Sequence, residues 1–286
     1  MDKKFFFVGN RFYVLKEMII KGLHLEKIVA VEGSYLEREL TKKKIDFVKI
    51  SSKEELLNLI SNTDFDYFLS NGCPYILPVS EIQKSHQVFL NIHPSYLPDL
   101  RGADPQPGAL FFARNSGATC HIMDDEIDSG GIVSQVEIPY SQDLDAALLY
   151  QLTFMAEKQA FQIALHNKFQ VDHKQIEKGN EIYYSKNNKD LIIDFACSAD
   201  AIYQQIKAFS NYSQGATFFY DNKQFKVFDC ELVNNGYAIS CFEDRKDNEV
   251  VLNYEKKLLI KKTNALLKFK DFNQDVSFIE PGSVLG

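Results

Sequence analysis

Short apolar runs alternate with helix-like stretches along the amino-terminal half of the chain. The apolar runs have the length and composition of buried strands and span residues 4–8, 26–32, 47–50, 67–69 and 88–92. Segments with the apolar spacing or capping signals of helices separate them, at residues 12–21, 35–43, 52–60 and 79–84. This β-α alternation predicts an α/β fold with a mostly parallel, doubly wound sheet.

The pattern changes towards the carboxyl end. A helix at 106–114, strands at 118–123 and 131–138 and a long amphipathic helix at 144–166 precede a polar stretch at 168–190. A helix at 199–209 and alternating strands follow, the strands at 216–220, 225–232, 238–242, 249–253, 257–262 and 265–272. We therefore predict a catalytic domain over residues 1–185 and a small β-rich C-terminal domain over residues 190–286.

The last apolar run of the first half and a later acidic loop carry the candidate chemistry. Asn91 and His93 alternate along an extended segment that Pro94 ends, so their side chains share one face at a strand's carboxyl end, where ligands bind in open α/β sheets. Asp128 closes the acidic run 124–128. An amide, an imidazole and a carboxylate suit acyl transfer to an amine. The alternatives are side chains that satisfy a strand turn and a solvated acidic loop.

Composition narrows the class of protein. The 286 residues are 45% hydrophobic and 25% charged, which is ordinary for a soluble globular chain. A net charge of −7 and the lack of a basic stripe argue against a nucleic-acid partner. Five scattered cysteines without a Cys-x-x-Cys pair indicate reduced thiols in a cytoplasmic protein and support no metal site. No apolar stretch has signal-peptide or membrane-spanning character, so no membrane partner is expected.

Two arginines are candidates for contacting a phosphate. Gly9-Asn10-Arg11 is a turn after the first predicted strand, where backbone N–H groups could cradle a phosphate or serve only as a structural turn. The missing Gly-x-Gly-x-x-Gly pattern disfavours a dinucleotide site. Arg101 lies in a Pro-punctuated loop soon after His93 and is either a substrate contact or an ordinary surface residue. We take Asn10, Arg11 and Arg101 as candidate substrate-binding residues.

Two segments resemble the formyltransferase family that uses 10-formyltetrahydrofolate. The family pattern Asn-x-His-Pro-Ser-x-Leu-Pro-x-x-Arg-Gly matches the stretch from Asn91 to Gly102, and an acidic loop ending in Leu/Ile-Asp-x-Gly matches the stretch from Asp124 to Gly131. Residues 71–78 resemble the segment whose backbone borders the folate pterin. Residues 206–216 resemble part of the C-terminal domain of methionyl-tRNA formyltransferase.

The resemblance implies a Rossmann-like formyltransferase domain that takes 10-formyltetrahydrofolate as formyl donor and needs no metal. Asn91 and protonated His93 would donate to the oxyanion, and Asp128 would orient a water and support the charged imidazole. His93 would also move protons to the leaving nitrogen, and the order of its two roles stays open. The residues implied for the folate pocket are Tyr75, Ile76, Leu77 and Asp124, of which the first three could equally be ordinary core.

A nucleotide-linked amino sugar is the acceptor that the resemblance favours. Residues 70–75 and 101–105 look like the dTDP-amino-deoxysugar N-formyltransferases. The expected substrate is dTDP-4-amino-4,6-dideoxyglucose, which would place the enzyme in lipopolysaccharide O-antigen or related glycan synthesis. Whether the amine is at C-3 or C-4 stays open. Initiator methionyl-tRNA is the alternative acceptor, and glycinamide ribonucleotide is the third.

Proteins of other classes share such folds, because a fold does not determine a function. A non-catalytic folate- or nucleotide-binding protein and a hydrolase that releases formate from the same donor are the two alternatives. The combination of Asn91, His93 and Asp128 argues against the first, since an idle protein has no need of all three. The edge strands of the C-terminal domain suit a homodimer, which is the expected oligomer.

Overall fold

The computed structural model describes residues 3–286. A seven-stranded sheet lies at the centre of its amino-terminal part. Its strands lie in the order β3-β2-β1-β4-β5-β6-β7, and the pairs along β3 to β5 are parallel. The strands β6 and β7 add antiparallel pairs at one edge. In chain order the strands are β1 (Lys4–Gly9), β2 (His24–Val31), β3 (Val48–Ile50), β4 (Tyr67–Asn71), β5 (Val88–His93), β6 (Ser116–Ile122) and β7 (Ile132–Ile138). The predicted mostly parallel, doubly wound sheet is confirmed.

Helices occur where the apolar spacing predicted them. They are α1 (Tyr13–Ile20), α2 (Tyr35–Lys43), α3 (Lys53–Asn62), α4 (Val79–Ile82), α5 (Pro105–Phe111) and α6 (Ala146–His166). Serine side chains cap two of them: Ser34 accepts a hydrogen bond from the Glu37 backbone N–H, and Ser52 from that of Glu55. These caps satisfy backbone donors that the first helical turn leaves unpaired.

Both faces of this sheet are buried, as the alternation along β1 requires. Phe5 and Phe7 join one hydrophobic cluster with Met18 of α1, whereas Phe6 and Val8 join another on the opposite face. A parallel sheet covered on both sides explains why β1 is a continuous apolar run rather than an alternating one.

A second, antiparallel sheet of five strands lies in the C-terminal part, in the order β10-β11-β12-β9-β8. It has its own buried cluster, which includes Phe218, Phe225 and Phe269. Its elements are a 3-10 turn (Asn188–Leu191), α7 (Ala199–Ala208), β8 (Ala216–Tyr220), β9 (Lys223–Val233), α8 (Gly236–Cys241), β10 (Val250–Tyr254), β11 (Lys257–Lys262) and β12 (Ala265–Phe272).

One predicted strand is wrong. Residues 238–242 were expected to be a strand, but residues Gly236–Cys241 form the short helix α8. Asn235 caps this helix, because its side-chain oxygen accepts from the Ala238 backbone N–H at 3.0 Å. A short apolar run does not distinguish helix from strand, and the local cap decides the outcome here.

The chain divides into two compact units. The first comprises residues 1–105, 115–139 and 151–184, and the second comprises residues 106–114, 140–150 and 185–286. The second unit therefore includes two short stretches that precede residue 151 in the chain, and the first of them contains most of α5. None of the helices in residues 3–286 has the length and apolar character needed to cross a membrane.

Candidate active site

The carboxyl end of β5 presents two polar side chains on one face. Leu90 and Ile92 pack into one of the two clusters that flank the sheet, and Phe89 packs into the other. Asn91 and His93 lie on the Phe89 side by alternation, and both reach Asp128. Asp128 belongs to the loop between β6 and β7, so the antiparallel pairing of β5 with β6 brings this loop to the end of β5.

His93 is buried, and its two ring nitrogens face different partners. Nε2 lies 3.0 Å from the carbonyl oxygen of Leu100, and Nδ1 lies 3.4 Å from Asp128 Oδ2. A carbonyl oxygen can only accept, so Nε2 carries the proton of the neutral imidazole and Nδ1 faces the carboxylate. Burial lowers the pKa of His93 below its ordinary value of 6.5, although Asp128 and the Leu100 carbonyl oppose the shift.

The Asn91 amide joins this pair to a second histidine. Its Nδ2 lies 3.3 Å from Asp128 Oδ1 and 3.3 Å from Nε2 of His121, a buried residue of β6. His121 Nδ1–H donates to the Ile122 carbonyl oxygen at 2.8 Å, and its Nε2 faces both the Asn91 amide and Asp128 Oδ1, the latter at 3.5 Å. The network therefore has four members: Asn91, His93, His121 and Asp128.

Asp128 is ionised at neutral pH. Burial opposes its charge, but His93 and His121 outweigh burial together with the backbone N–H of Gly102, which donates to Oδ2 at 3.2 Å. The pKa of Asp128 therefore lies well below its usual range. Gly102 has a φ of +106°, and a Cβ there would lie 2.7 Å from the Tyr184 carbonyl oxygen, so only glycine fits at this position.

A cavity of about 400 Å³ opens over this network, a volume typical of ligand pockets. Its walls come from the turn after β1, the segment after β4, the end of β5 and the loop between β6 and β7. The sequence predicted seven residues that bind the folate donor or the substrate. Six of them line the cavity: Asn10, Arg11, Tyr75, Ile76, Leu77 and Asp124.

The cavity combines an apolar wall with a polar end, and this combination fits a flat heterocyclic ligand. Tyr75, Ile76 and Leu77 contribute apolar surface, and Leu77 is also part of a core cluster. Asp124 shapes the loop, because its Oδ1 accepts from the Ser129 hydroxyl at 2.6 Å. A heterocycle against the apolar wall would leave its reactive group towards the polar network of Asn91 and His93.

Arg11 is held in place by a fully buried carboxylate. Its guanidinium forms an ion pair with Glu157 of α6, and its CZ atom lies 5.6 Å from the centre of the Phe154 ring. Burial raises the pKa of Glu157, and Arg11 opposes the shift. Arg11 therefore lines the cavity as an oriented cation rather than as a mobile surface side chain.

Arg101, the seventh of the predicted ligand-binding residues, does not line the cavity. Its guanidinium donates to Glu177 Oε1 at 2.6 Å and to Gln175 Oε1 at 2.8 Å. A substrate phosphate would have to displace these two partners, so the geometry disfavours the predicted substrate contact of Arg101. Within residues 3–286, no group of three His, Cys, Asp or Glu side chains is placed to hold a metal ion.

Two family models of formyl transferases match the chain. The formyl transferase domain matches residues 37–165, and the formyl transferase C-terminal domain matches residues 186–275. The chain belongs to the formyltransferase family. The first match contains Asn91, His93 and Asp128, the three residues that meet at the end of β5.

The proteins that this formyltransferase resembles are named for different formyl acceptors. It is 25% identical to methionyl-tRNA formyltransferase of Campylobacter lari over 95% of this chain and 92% of that protein. Its fold is similar to an N-formyltransferase of Helicobacter canadensis, solved with folinic acid and dTDP-3-aminofucose, with a TM-score of 0.71 at 18% identity over 94% of this chain and 98% of that one. A 4-N formyltransferase of Francisella tularensis has a TM-score of 0.65 at 20% identity over 78% of this chain and 95% of that one.

Three participants lie outside the residues that the sequence of this formyltransferase singled out: His121, Glu157 and Gln175. Glu157 had a signal, since it is a charged residue among the apolar positions Ala156, Ala160 and Phe161 of a helix. Gln175 had none, because it lies in a uniformly polar stretch.

Proposed function

We propose that this formyltransferase moves a formyl group from 10-formyltetrahydrofolate to the primary amine of a dTDP-linked amino-6-deoxysugar. The observation that carries the proposal is the meeting of Asn91, His93 and Asp128 at the end of β5, inside a cavity with an apolar wall. The likeness to the Helicobacter canadensis enzyme, solved with folinic acid and dTDP-3-aminofucose, supports both the donor and the acceptor class.

His93 is the proton carrier in this proposal. Its Nε2–H is bound to the Leu100 carbonyl oxygen, so Nδ1 is the nitrogen that can accept a proton. Burial lowers the pKa of His93 from its ordinary value, which favours the neutral imidazole at pH 7, so in this proposal His93 begins as a base and donates afterwards. Nδ1 takes one proton from the attacking amine and returns one to the leaving nitrogen, and Asp128 stabilises the imidazolium between these steps.

Asn91 supplies the neutral donor for the developing oxyanion. Its amide nitrogen lies 3.3 Å from Asp128 Oδ1 and 3.3 Å from His121 Nε2, and both distances are longer than those of good hydrogen bonds. A donor held this loosely can turn to a stronger acceptor when negative charge develops on the formyl oxygen. In the protonated state His93 adds a second donor from Nδ1.

Asn10 and Arg11 are the proposed contacts for the acceptor's diphosphate. Both line the cavity, and the ion pair with Glu157 aims the guanidinium of Arg11. A guanidinium matches phosphate oxygens in charge and in the geometry of its N–H groups. Arg101 is left out of this proposed set because its guanidinium is paired with Glu177 and Gln175 and does not line the cavity.

The position of the acceptor amine is the finer part of the proposal. dTDP-4-amino-4,6-dideoxyglucose is the first acceptor to test, in line with the sequence resemblance and the Francisella tularensis 4-N enzyme. A 3-amino sugar is the second candidate, because the neighbour solved with dTDP-3-aminofucose covers more of this chain. We also propose a homodimer, which the mass of the protein in solution by light scattering would test.

Mass spectrometry of the products tests the function. The purified protein is incubated with 10-formyltetrahydrofolate and, separately, dTDP-4-amino and dTDP-3-amino-6-deoxysugars, UDP-amino sugars and methionyl-tRNA. We expect one formyl group on a dTDP-sugar, and a loss of about 10²-fold or more in kcat for His93→Ala. His166→Ala, which removes an exposed imidazole at the end of α6, is the matched control and should keep wild-type activity.

The other outcomes separate the alternatives. Formylation of methionyl-tRNA alone would contradict the sugar acceptor and leave formyl transfer in place. Formate release without any acceptor would indicate a hydrolase. Binding of the donor without turnover in any reaction would favour the non-catalytic class.

A further inference from the structure

The 172–184 segment is a polar stretch that lies along the loops of the active site. The backbone N–H of Asp172 donates to the Ile132 carbonyl, and that of Ile132 donates to the His173 carbonyl, both at 2.8 Å. At its other end the Tyr184 N–H donates to the Arg101 carbonyl at 2.8 Å. The segment is therefore attached on both sides of the loops that carry Asp128 and Gly102.

Gln175 is the residue of this segment that reaches both loops with its side chain. Its Nε2 donates to the carbonyl oxygens of Asp128 at 2.8 Å and Gly130 at 2.9 Å, and its Oε1 accepts from Arg101 Nη2 at 2.8 Å. A glutamine amide has two hydrogens for donation. Both are used on the Asp128 loop, and the acceptor oxygen is used on the Arg101 loop.

Asp128 needs such support because its backbone is strained. Its φ is +53°, in the left-handed region that few residues other than glycine adopt. Strained backbone persists at functional sites only where surrounding contacts hold it. The carboxylate at this position lies 3.4 Å from His93 Nδ1, so a backbone rotation at Asp128 would move the charge away from the imidazole.

We propose that Gln175 is a positioning residue: the two hydrogens of its side-chain amide hold the Asp128 loop so that the carboxylate stays beside His93. Gln175 touches neither the reacting atoms nor the cavity. It acts through Asp128, and Arg101 orients it from the other side. The kinetic consequence of this inference rests on the proposed formyl transfer, whereas its effect on the protonation of His93 does not.

Two substitutions separate holding Asp128 from merely holding Arg101. Gln175→Leu removes all three hydrogen bonds at similar size. Gln175→Glu keeps an acceptor for Arg101 but replaces both donors with oxygen, which would face the carbonyl oxygens of Asp128 and Gly130. We expect both variants to lose about 10²-fold in kcat, because a displacement of about 1 Å in a catalytic site can have that effect. The KM for the donor should stay within about twofold.

Histidine NMR gives a readout that needs no turnover. The charged or titratable groups that influence His93 are Asp128, His121 and Arg11, and of these Asp128 favours the imidazolium. If the carboxylate moves away in Gln175→Leu, the apparent pKa of His93 should fall by about one unit relative to wild type. Lys174→Ala, an exposed neighbour on the same segment, is the matched control for both measurements.

Each outcome bears on the inference. Wild-type kcat in Gln175→Glu, with a loss only in Gln175→Leu, would show that Gln175 acts through Arg101 alone and would overturn the proposal. An unchanged His93 titration in a folded Gln175→Leu would overturn it as well. If wild type forms no formylated product, the proposed function fails, and the titration alone still decides whether Gln175 positions Asp128.

Discussion

Asp128 combines two requirements at one residue. Its carboxylate oxygens lie close to His93, Asn91 and the Gly102 N–H, and its backbone adopts a left-handed conformation. Aspartate tolerates that conformation better than most residues, because its short polar side chain can bond locally. The residue type therefore suits the charge and the turn together.

We predict that Asp128→Asn changes the pH dependence as well as the rate. Burial lowers the pKa of His93 from 6.5, and the Asp128 carboxylate opposes that shift. A neutral asparagine cannot oppose it, so the pKa of His93 falls further and the acid limb of kcat/KM moves to lower pH. The rate should fall by about 10²-fold or more. Residual formyl transfer measured from pH 5 upwards, at about half-unit steps, checks both effects.

The control for this prediction lies in the same loop. Asp125 is exposed and accepts from the Ser80 backbone N–H, without contacting the histidines. Asp125→Asn should leave the position of the acid limb unchanged. An acid limb that moves upwards in Asp128→Asn would contradict the assignment of His93 as a base that Asp128 supports.

At the scale of elements, the turn after β1 and the helix α6 depend on each other. Arg11 of the turn pairs with Glu157 of the helix, and Tyr13 of α1 stacks on Phe154 with ring centres 5.4 Å apart. Glu157 is fully buried, so its charge depends on the Arg11 guanidinium beside it and on the nearby Asn71 side chain. A buried pair of this kind is costly to break from one side.

We predict that Arg11→Met destabilises the protein by about 3–5 kcal/mol at pH 8, because it leaves the Glu157 carboxylate buried without its partner. The pKa of Glu157 is already raised in the folded state, and this change raises it further. Between the unfolded and the folded pKa of Glu157, the folded state binds a proton that the unfolded state lacks. The loss of unfolding free energy therefore grows as pH rises above the unfolded pKa and shrinks as pH falls towards it. Urea unfolding at pH 5 and pH 8 measures the difference.

The double variant Arg11→Met, Glu157→Leu provides the comparison. It removes both charges together, and similar-sized apolar residues in place of a buried pair are often neutral for stability. We expect it to unfold near the wild-type midpoint at both pH values. Equal loss of stability in the single and double variants would mean that the ion pair is not the origin of the effect.

At the scale of the whole molecule, the two compact units are interleaved along the chain. Most of α5 and the first turn of α6 precede residue 151 in the chain but belong to the unit of the second sheet. Within that unit Phe111 lies 5.9 Å from Phe209 between ring centres, and the Ala146 N–H donates to the Ser210 hydroxyl at 3.2 Å. A cut between residues 185 and 190 therefore divides a core.

We predict that a chain shortened to residues 1–185 loses protection of α5 while β1 stays protected. Removing Phe209 takes away one of the rings that pack on Phe111, so the helix has less apolar area to bury. Hydrogen exchange followed by mass spectrometry compares the two elements in the shortened and full-length chains. Equal protection of α5 in both would support the predicted boundary as that of a self-sufficient domain.

The local pattern and the motif resemblance were enough to predict most elements of the fold and the three residues that lie together in the site, Asn91, His93 and Asp128. Alternation placed Asn91 and His93 on one face of β5, and a motif resemblance pointed to Asp128. The strand expected at residues 238–242 was wrong because a single side-chain cap from Asn235 decides between helix and strand. The phosphate contact expected of Arg101 is disfavoured because its two partners come from a segment more than 70 residues away.

By itself the sequence determined the β-α order, the burial of the first sheet on both faces and the chemistry available at the end of β5. These properties follow from periodicity and residue type, which act over a few neighbouring positions. The tertiary structure alone decided which nitrogen of His93 faces Asp128, that Glu157 lies under Arg11, and that Gln175 reaches the Asp128 loop. Such contacts join residues far apart in the chain, and their orientation depends on packing that no local pattern records.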